Sequence, residues 1–207
     1  HFVTPSGLDA EGHYSTAYDM ALLAREALEN PDFAQMAASK RLTLHYGNPP
    51  YDRSLLNHNR LLSLYPDAIG IKTGFTTPAG NCLIAAAQND DLTYISVVLG
   101  GTETEDGEIT SFSETIALLD YAQDGFAVQQ LVKSSDPITE VPIRLATDRD
   151  TLVLTPESDL SALLPVGFDP SEVTVDFTTD EDICAPITQG QALGQATFTY
   201  NGKEYGT

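Results

Sequence analysis

Cations are scarce in this 207-residue chain: ten Lys and Arg stand against 30 Asp and Glu, a formal net charge of −20. The acidity is even, −11 over residues 1–125 and −9 over residues 126–207. Binding a nucleic-acid backbone needs clustered cations, so the composition excludes that class of partner and predicts a self-repelling chain. Nowhere do 18 apolar residues run together, which excludes a membrane-spanning helix. The opening "HFVTPSGLDAEG" has no Met and neither the basic nor the apolar part of a signal peptide. Phe2-Val3 leading into Thr4-Pro5-Ser6-Gly7 reads as a strand end entering a turn, so the sequence is expected to be cut from something longer. Cysteine is limited to Cys82 and Cys184, in different halves, with no CxxC and no histidine at ligand spacing. Two separate, small buried hydrophobes are the expected reading, with a disulfide as the alternative. His13 and His45 lack partners at metal spacing, and no metal or cofactor is expected.

What is present suits a globular protein with a real core, the hydrophobic fraction being 42%. Thr16-Ala17-Tyr18-Asp19 is a capping-box-like start, and Met20, Leu23, Ala24, Ala27 and Leu28 follow at helical spacing, which predicts a helix over about 16–29. Asn30 then caps a second short helix with Pro31 at its first position. Thr43–Tyr46 is a candidate strand ended by Gly47-Asn48-Pro49-Pro50, and the stretch "LLNHNRLLSLYPDAIGI" is mixed. Three strand-like runs come next, Ile69 to Gly74, Asn81 to Ala87 and Tyr94 to Leu99. They are joined by short turns, the second tipped by Asp90-Asp91, and predict an antiparallel meander. Ile109, Phe112, Ile116 and Leu119 mark one face of a helix ending near Gly125. A sheet followed by a covering helix is an α+β arrangement.

From about residue 126 the texture becomes short alternating runs broken by Pro, Gly and Asp, with "TDEDICA" a solvated acidic loop. Residues 126–207 therefore read as a small all-β module, with "VKSSDP" as the hinge that separates it from residues 1–125.

One tripeptide does not fit a plain core strand. Lys72-Thr73-Gly74 interrupts the apolar run "IGIKTGFTTPAGNCLIAAA", and an ammonium in a buried strand costs several kcal/mol, roughly, unless it meets an anion or reaches a cleft. A strand lysine also serves as edge decoration against aggregation, so the tripeptide alone leaves both readings open. Ser6 between Pro5 and Gly7 is a turn serine.

Taken with "TPSGLD", "STAYDMALLAREAL", "NHNRLL" and "YISVVLGG", the sequence resembles the low-molecular-weight penicillin-binding proteins that act as D-Ala-D-Ala carboxypeptidases, over nearly its whole length. The resemblance implies a partial penicillin-binding-protein/β-lactamase-like domain over 1–125, an antiparallel sheet with helices, followed by the family's all-β second domain over 126–207. It makes Lys72, Thr73 and Gly74 the third active-site motif, with Phe75 lining the cleft and Asn57 and His58, of an Asn-x-Asn stretch closed by Asn59, on the substrate side. A turn histidine with a solvated ring is the plain alternative for His58. Relatives often carry an Arg shortly after the Gly-Gly matched by Gly100-Gly101; here "TETEDGEI" supplies no cation, so carboxylate recognition is expected to rest on Lys72 and Thr73.

The residues three before Lys40, Lys72, Lys133 and Lys203 are Ala37, Ile69, Gln130 and Tyr200, so no Ser-x-x-Lys exists, and there is no Ser-x-Asn either. Those are the elements that carry the nucleophile and its base in such enzymes. The resemblance implies a parent enzyme of the bacterial cell envelope, outside the cytoplasm, whose serine trims the terminal D-Ala from peptidoglycan stem peptides and which β-lactam antibiotics acylate. These 207 residues alone are expected to be inactive. Any membrane-docking segment of the parent would lie beyond Thr207. The alternatives are a noncatalytic envelope-binding module and a β-lactamase relative, the latter disfavoured by residues 126–207.

Overall fold

The computed structural model describes residues 1–89, 92–179 and 182–207. Asp90-Asp91, expected as a hairpin tip, and Asp180-Glu181 of the expected acidic loop lie outside the described residues. The chain divides into two compact units, His1–Asp124 and Gly125–Thr207.

The first unit opens with two capped helices. In α1 (Ala17–Leu28) the Thr16 hydroxyl accepts from the Asp19 N–H at 3.1 Å, and in α2 (Pro31–Ala38) the Asn30 side chain accepts from the N–H groups of Asp32 and Phe33. Each cap satisfies donors that have no partner inside the helix. Strands β1 (Arg41–Tyr46) and β2 (Tyr51–Leu56) form a two-stranded ladder whose residues are all exposed. The short α3 (Leu61–Leu64) leads into the meander β3 (Ala68–Thr76), β4 (Gly80–Asn89) and β5 (Leu92–Gly101), and α4 (Thr110–Gly125) follows.

The meander is antiparallel, in the order β3-β4-β5. Its central strand alternates as a strand buried on both faces must. Leu83, Ala85 and Ala87 pack with Leu61 and Tyr65 from around α3 and with Phe112 and Leu119 of α4. Ala86, with Ile84 beside it, packs with Ala24 of α1 and Ile71 of β3. Within α4, Phe112, Ile116 and Leu119 lie on the face expected from their spacing, and Ile109 just before the helix joins them. Ser111 and Thr115 are buried with them. Leu23 departs from its expected place: it is exposed, because the buried arc of α1 centres on Ala24 and Leu28, and a residue one position away is turned about 100° from that centre.

Two glycines set close approaches. A Cβ on Gly101 would meet the Asn81 carbonyl oxygen at 2.7 Å and the Ser111 Cβ at 2.9 Å, so the end of β5 lies directly against β4 and the start of α4. A Cβ on Gly70 would sit 3.2 Å from that of Ala37, where α2 crosses β3.

The second unit is all-β apart from one 3-10 turn at Pro170–Glu172. β6 (Phe126–Val132) pairs with β9 (Leu160–Pro165), and β7 (Thr139–Pro142) pairs with β8 (Thr151–Leu154). β10 (Thr174–Thr179), β11 (Gly194–Tyr200) and β12 (Lys203–Gly206) form a three-stranded sheet. Val132, Val141, Leu164, Ile183, Phe198 and Tyr200 are its buried apolar residues.

Two expectations are corrected and one strand was missed. "VKSSDP" is no hinge between the units: β6, which precedes it, already belongs to the second unit, and the segment is a turn. Asp136 accepts from the Lys133 N–H, while Asp159 accepts from both the N–H and the hydroxyl of Ser134, at 2.7 and 2.8 Å. These bonds with Ser134 hold the Asp159 carboxyl below the usual carboxylate range. The cysteines are not buried either: Cys82 is half-buried, Cys184 is exposed, and both are free thiols. The hairpin partner β2 was not foreseen, since "YDRSLL" lacks a period-two pattern.

Candidate active site

The strand carrying Lys72 lies at the edge of the meander, paired with β4 alone, and β5 lies on the far side of β4. That corrects the premise of a cation inside a buried strand. Ile71 is buried, whereas Lys72 is exposed and its ammonium donates to the carbonyl oxygen of Thr73 at 2.6 Å. The desolvation cost that a core ammonium would carry is absent. The strand instead offers an open edge with a cation and a hydroxyl along it.

Pairing register fixes the neighbours of the tripeptide: Thr73 lies opposite Leu83, Gly74 opposite Cys82 and Phe75 opposite Asn81. A groove of about 390 Å³ opens there, lined along β3 by Lys72, Thr73, Gly74 and Phe75 and along β4 by Asn81 and Cys82. His58 and Arg60 come from the turn before α3, and Ile109, Ser111 and Phe112 close the α4 side. A Cβ on Gly74 would meet nothing within 4 Å, so the strand face there is open to an approaching chain, and the strand order leaves the outer edge of β3 unpaired among the described residues. Phe75 is exposed and offers its ring to the groove mouth.

The turn holding His58 is built by the two asparagines that flank it. Asn57 Nδ2 donates to the carbonyls of Ala37 at 3.2 Å and Ser39 at 3.1 Å, and Asn57 Oδ1 accepts from the Asn59 N–H at 2.9 Å. Asn59 Oδ1 in turn accepts from the Leu61 N–H at 3.1 Å, opening α3. Asn57 therefore faces the protein and ties the end of α2 to this turn. Of the six residues singled out from the sequence, the groove brings together Lys72, Thr73, Gly74, Phe75 and His58, and Asn57 lies outside it.

Arg60, Asn81, Cys82 and the α4 wall were not singled out beforehand. Counting back through the short "TTPAG" turn would have found Asn81 and Cys82, because a tight hairpin fixes the cross-strand register. Arg60 answers the missing cation after Gly100-Gly101: its guanidinium lies 5.8 Å from the centroid of the Phe112 ring, on the same groove as Lys72. The groove thus has two basic side chains, and carboxylate recognition need not rest on Lys72 and Thr73 alone.

No nucleophile in the groove is paired with a base among the described residues. Cys82 Sγ donates only to the carbonyls of Ala79 and Gly80, at 3.5 and 3.9 Å, and Ser111 is 2% exposed. The arrangement can bind an extended peptide by its backbone along the bare β3 edge and attract a carboxylate at Lys72 and Arg60. Among the described residues no cluster of His, Cys, Asp and Glu could hold a metal ion. Asp9, from the "GLD" stretch, accepts from the Thr76 hydroxyl at 2.9 Å and fastens the N-terminal segment to the end of β3.

Residues 1–103 match the family described as D-alanyl-D-alanine carboxypeptidase, and residues 126–207 match the C-terminal domain of penicillin-binding protein 5. The D-alanyl-D-alanine carboxypeptidase DacF of Bacillus subtilis is 31% identical over 202 residues, covering 98% of this chain and 50% of that protein. DacC of Escherichia coli is 33% identical over 207 residues, covering 98% of this chain and 48% of its own length. The chain spans about half the length of the curated relatives it matches. The crystal structure of penicillin binding protein 5 from Haemophilus influenzae superposes with a TM-score of 0.62 at 28% identity, over 98% of this chain and 57% of that one. That of the D-alanyl-D-alanine carboxypeptidase DacD from Francisella tularensis gives 0.67 at 25% identity, over 99% and 60%. Sequence, fold and the Lys-Thr-Gly edge strand agree, and the chain belongs to the D-alanyl-D-alanine carboxypeptidase family of low-molecular-weight penicillin-binding proteins.

Proposed function

We propose that this chain supplies the substrate-binding wall of a serine D-Ala-D-Ala carboxypeptidase, with residues 1–125 as the C-terminal part of the catalytic domain and residues 126–207 as its all-β companion. The observation that carries the reading is the bare edge of β3, where Lys72-Thr73-Gly74 opens into a groove with His58, Arg60 and Phe75. In this reading the nucleophilic serine and its base belong to polypeptide outside these 207 residues, since neither Ser-x-x-Lys nor Ser-x-Asn occurs here. The serine oxygen bonds to the carbonyl carbon between the two terminal D-alanines of a stem peptide, the C–N bond breaks, and D-Ala leaves with the serine proton. Water then splits the ester and releases the shortened stem.

The roles follow from position. The substrate lies against the β3 edge, where Gly74 leaves its backbone room. Lys72 and the Thr73 hydroxyl meet the reacting end and its carboxylate, and Phe75 and His58 flank the cleft. Asn57 acts by holding the turn that presents His58. A β-lactam, carrying the same carboxylate and a reactive carbonyl, fits the same groove. Peptidoglycan lies outside the cytoplasm, so the enzyme works in the cell envelope. Among the described residues no helix is long and apolar enough to cross a membrane.

A fluorescent penicillin, read on a denaturing gel, tests the proposal. The 207-residue chain should take no label. A chain extended through the upstream reading frame should be labelled, and Lys72→Ala in that chain should slow acylation by about 10²-fold or more, the scale of losing one preorganised electrostatic contact. Label on the short chain would expose a nucleophile within these residues. A folded extended chain without label would instead point to a noncatalytic binding module.

A further inference from the structure

Beside the Lys72 groove lies a second depression, of about 420 Å³, which the activity proposed above does not use. Lys40 and Arg41 from the start of β1 and Arg60 from the turn before α3 all line it, three of the ten cations in a chain of net charge −20, and no acidic side chain joins them. None of the three forms an ion pair among the described residues. Asn59 shares the wall: it is 3% exposed, and its side-chain amide donor has no hydrogen-bond partner. Leu56 and Leu64 give the depression apolar sides.

Three cations and an unpartnered amide donor gathered without a carboxylate, beside only the neutral side chains of Asn57 and Ser63, in a protein whose acids outnumber its cations threefold, describe a site for an anion. Arginine favours planar, bidentate partners, which points to a carboxylate. Arg60 lines both this depression and the Lys72 groove, so the two adjoin.

We propose that this depression is a carboxylate-binding site contiguous with the Lys72 groove, which takes a free carboxylate of the stem peptide whose D-Ala-D-Ala end lies against β3. The peptide assignment rests on the reading of the Lys72 groove given above; the carboxylate site itself does not. An extended chain advances about 3.3–3.6 Å per residue, so the α-carboxylate of a γ-linked D-glutamate three residues before the terminus falls about 10 Å upstream. A free dicarboxylate has the same chemistry, and the test separates the two sources.

The 207-residue chain is titrated, with backbone amide NMR shifts as the readout, against three probes at low ionic strength. They are a D-Ala-D-Ala pentapeptide with its γ-D-glutamyl carboxylate free, the same peptide with that carboxylate amidated, and glutarate. The free-carboxylate peptide should bind about 5- to 10-fold more tightly than the amide, as expected of two or three exposed ionic contacts, with saturable shifts around Asn59–Leu62. Lys40→Gln with Arg41→Gln, both exposed and outside the Lys72 groove, should abolish the difference, and salt should reduce it. Saturable glutarate binding lost in the same double variant, without discrimination between the peptides, supports the carboxylate site with a free acid as its ligand. Equal peptide affinities together with no saturable glutarate binding overturn the proposal, as does a preference for the free carboxylate, or glutarate binding, that the double variant leaves intact. Lys72→Gln reports separately on the groove: it should weaken both peptides and spare glutarate. If it leaves peptide binding unchanged, the groove reading fails and the glutarate result alone decides the depression.

Discussion

Tyr65→Phe removes one hydroxyl from the core of the first unit and leaves the ring in place. The residue is 8% exposed, and its hydroxyl donates to Asp120 Oδ1 at 2.9 Å, with Gln123 Oε1 at 3.1 Å sharing the same proton. A hydrogen bond to a charged group contributes about 1.5–3 kcal/mol, and because Asp120 is itself exposed and regains water, the loss should be about 1–2 kcal/mol. The same interaction has a pH signature. Burial first, then the hydrogen bond and charge of Asp120, push the Tyr65 phenol up to about 12 from an ordinary 10. The folded-state value lies above the unfolded one, so the stabilisation is fully present below pH 10 and is lost as pH rises through 12. Urea denaturation of both proteins from pH 8 to 12 measures this, and the other tyrosines cancel in the difference. The gap between them should hold near 1–2 kcal/mol up to about pH 10 and close toward pH 12. A gap under about 0.3 kcal/mol at pH 8, or one that does not change with pH, would refute the coupling of Tyr65 to α4.

Gly101→Ala should destabilise the first unit by about 1–3 kcal/mol, read as a lower melting temperature, because the new methyl overlaps the Asn81 carbonyl and Ser111, neither of which is the flexible end of a long side chain. Asn57→Ala leaves the Ala37 and Ser39 carbonyls and the Asn59 N–H without their partner and should cost about 1–3 kcal/mol in urea unfolding. In the extended, acylating chain it should also raise the penicillin concentration needed for half-maximal labelling more than it lowers the limiting rate, since Asn57 positions His58 and does not itself line the groove.

The local parts of the architecture were readable in advance because their causes are local. Thr16 and Asn30 announce α1 and α2 by cap chemistry alone, and the short turns between residues 69 and 99 announce a meander. Strand order is a different matter. Whether Lys72 sits mid-sheet or at an edge depends on what pairs with the other side of β3, and nothing in "IGIKTG" encodes that. Asn57 looked like a ligand contact because its partners, Ala37 and Ser39, lie 20 and 18 residues away. "VKSSDP" has the composition of a linker, yet Asp159, 25 residues on, makes it a turn by binding Ser134. In each case a side chain of ordinary type takes its role from a distant backbone group.

The alanine run of β4 carries a consequence for how this groove can drift. Ala85, Ala86 and Ala87 are fully buried, with helices packed on both faces of the strand, so the thickness of the layers is set by methyl groups. Ala85 belongs to the same packed cluster as Phe112, and Phe112 is a wall of the groove. A larger residue at Ala85 would lever α4 outward and widen the cleft without altering any residue that touches a ligand. Variants with a changed cleft width can therefore arise in the middle of the sheet, where a scan restricted to groove residues would never look.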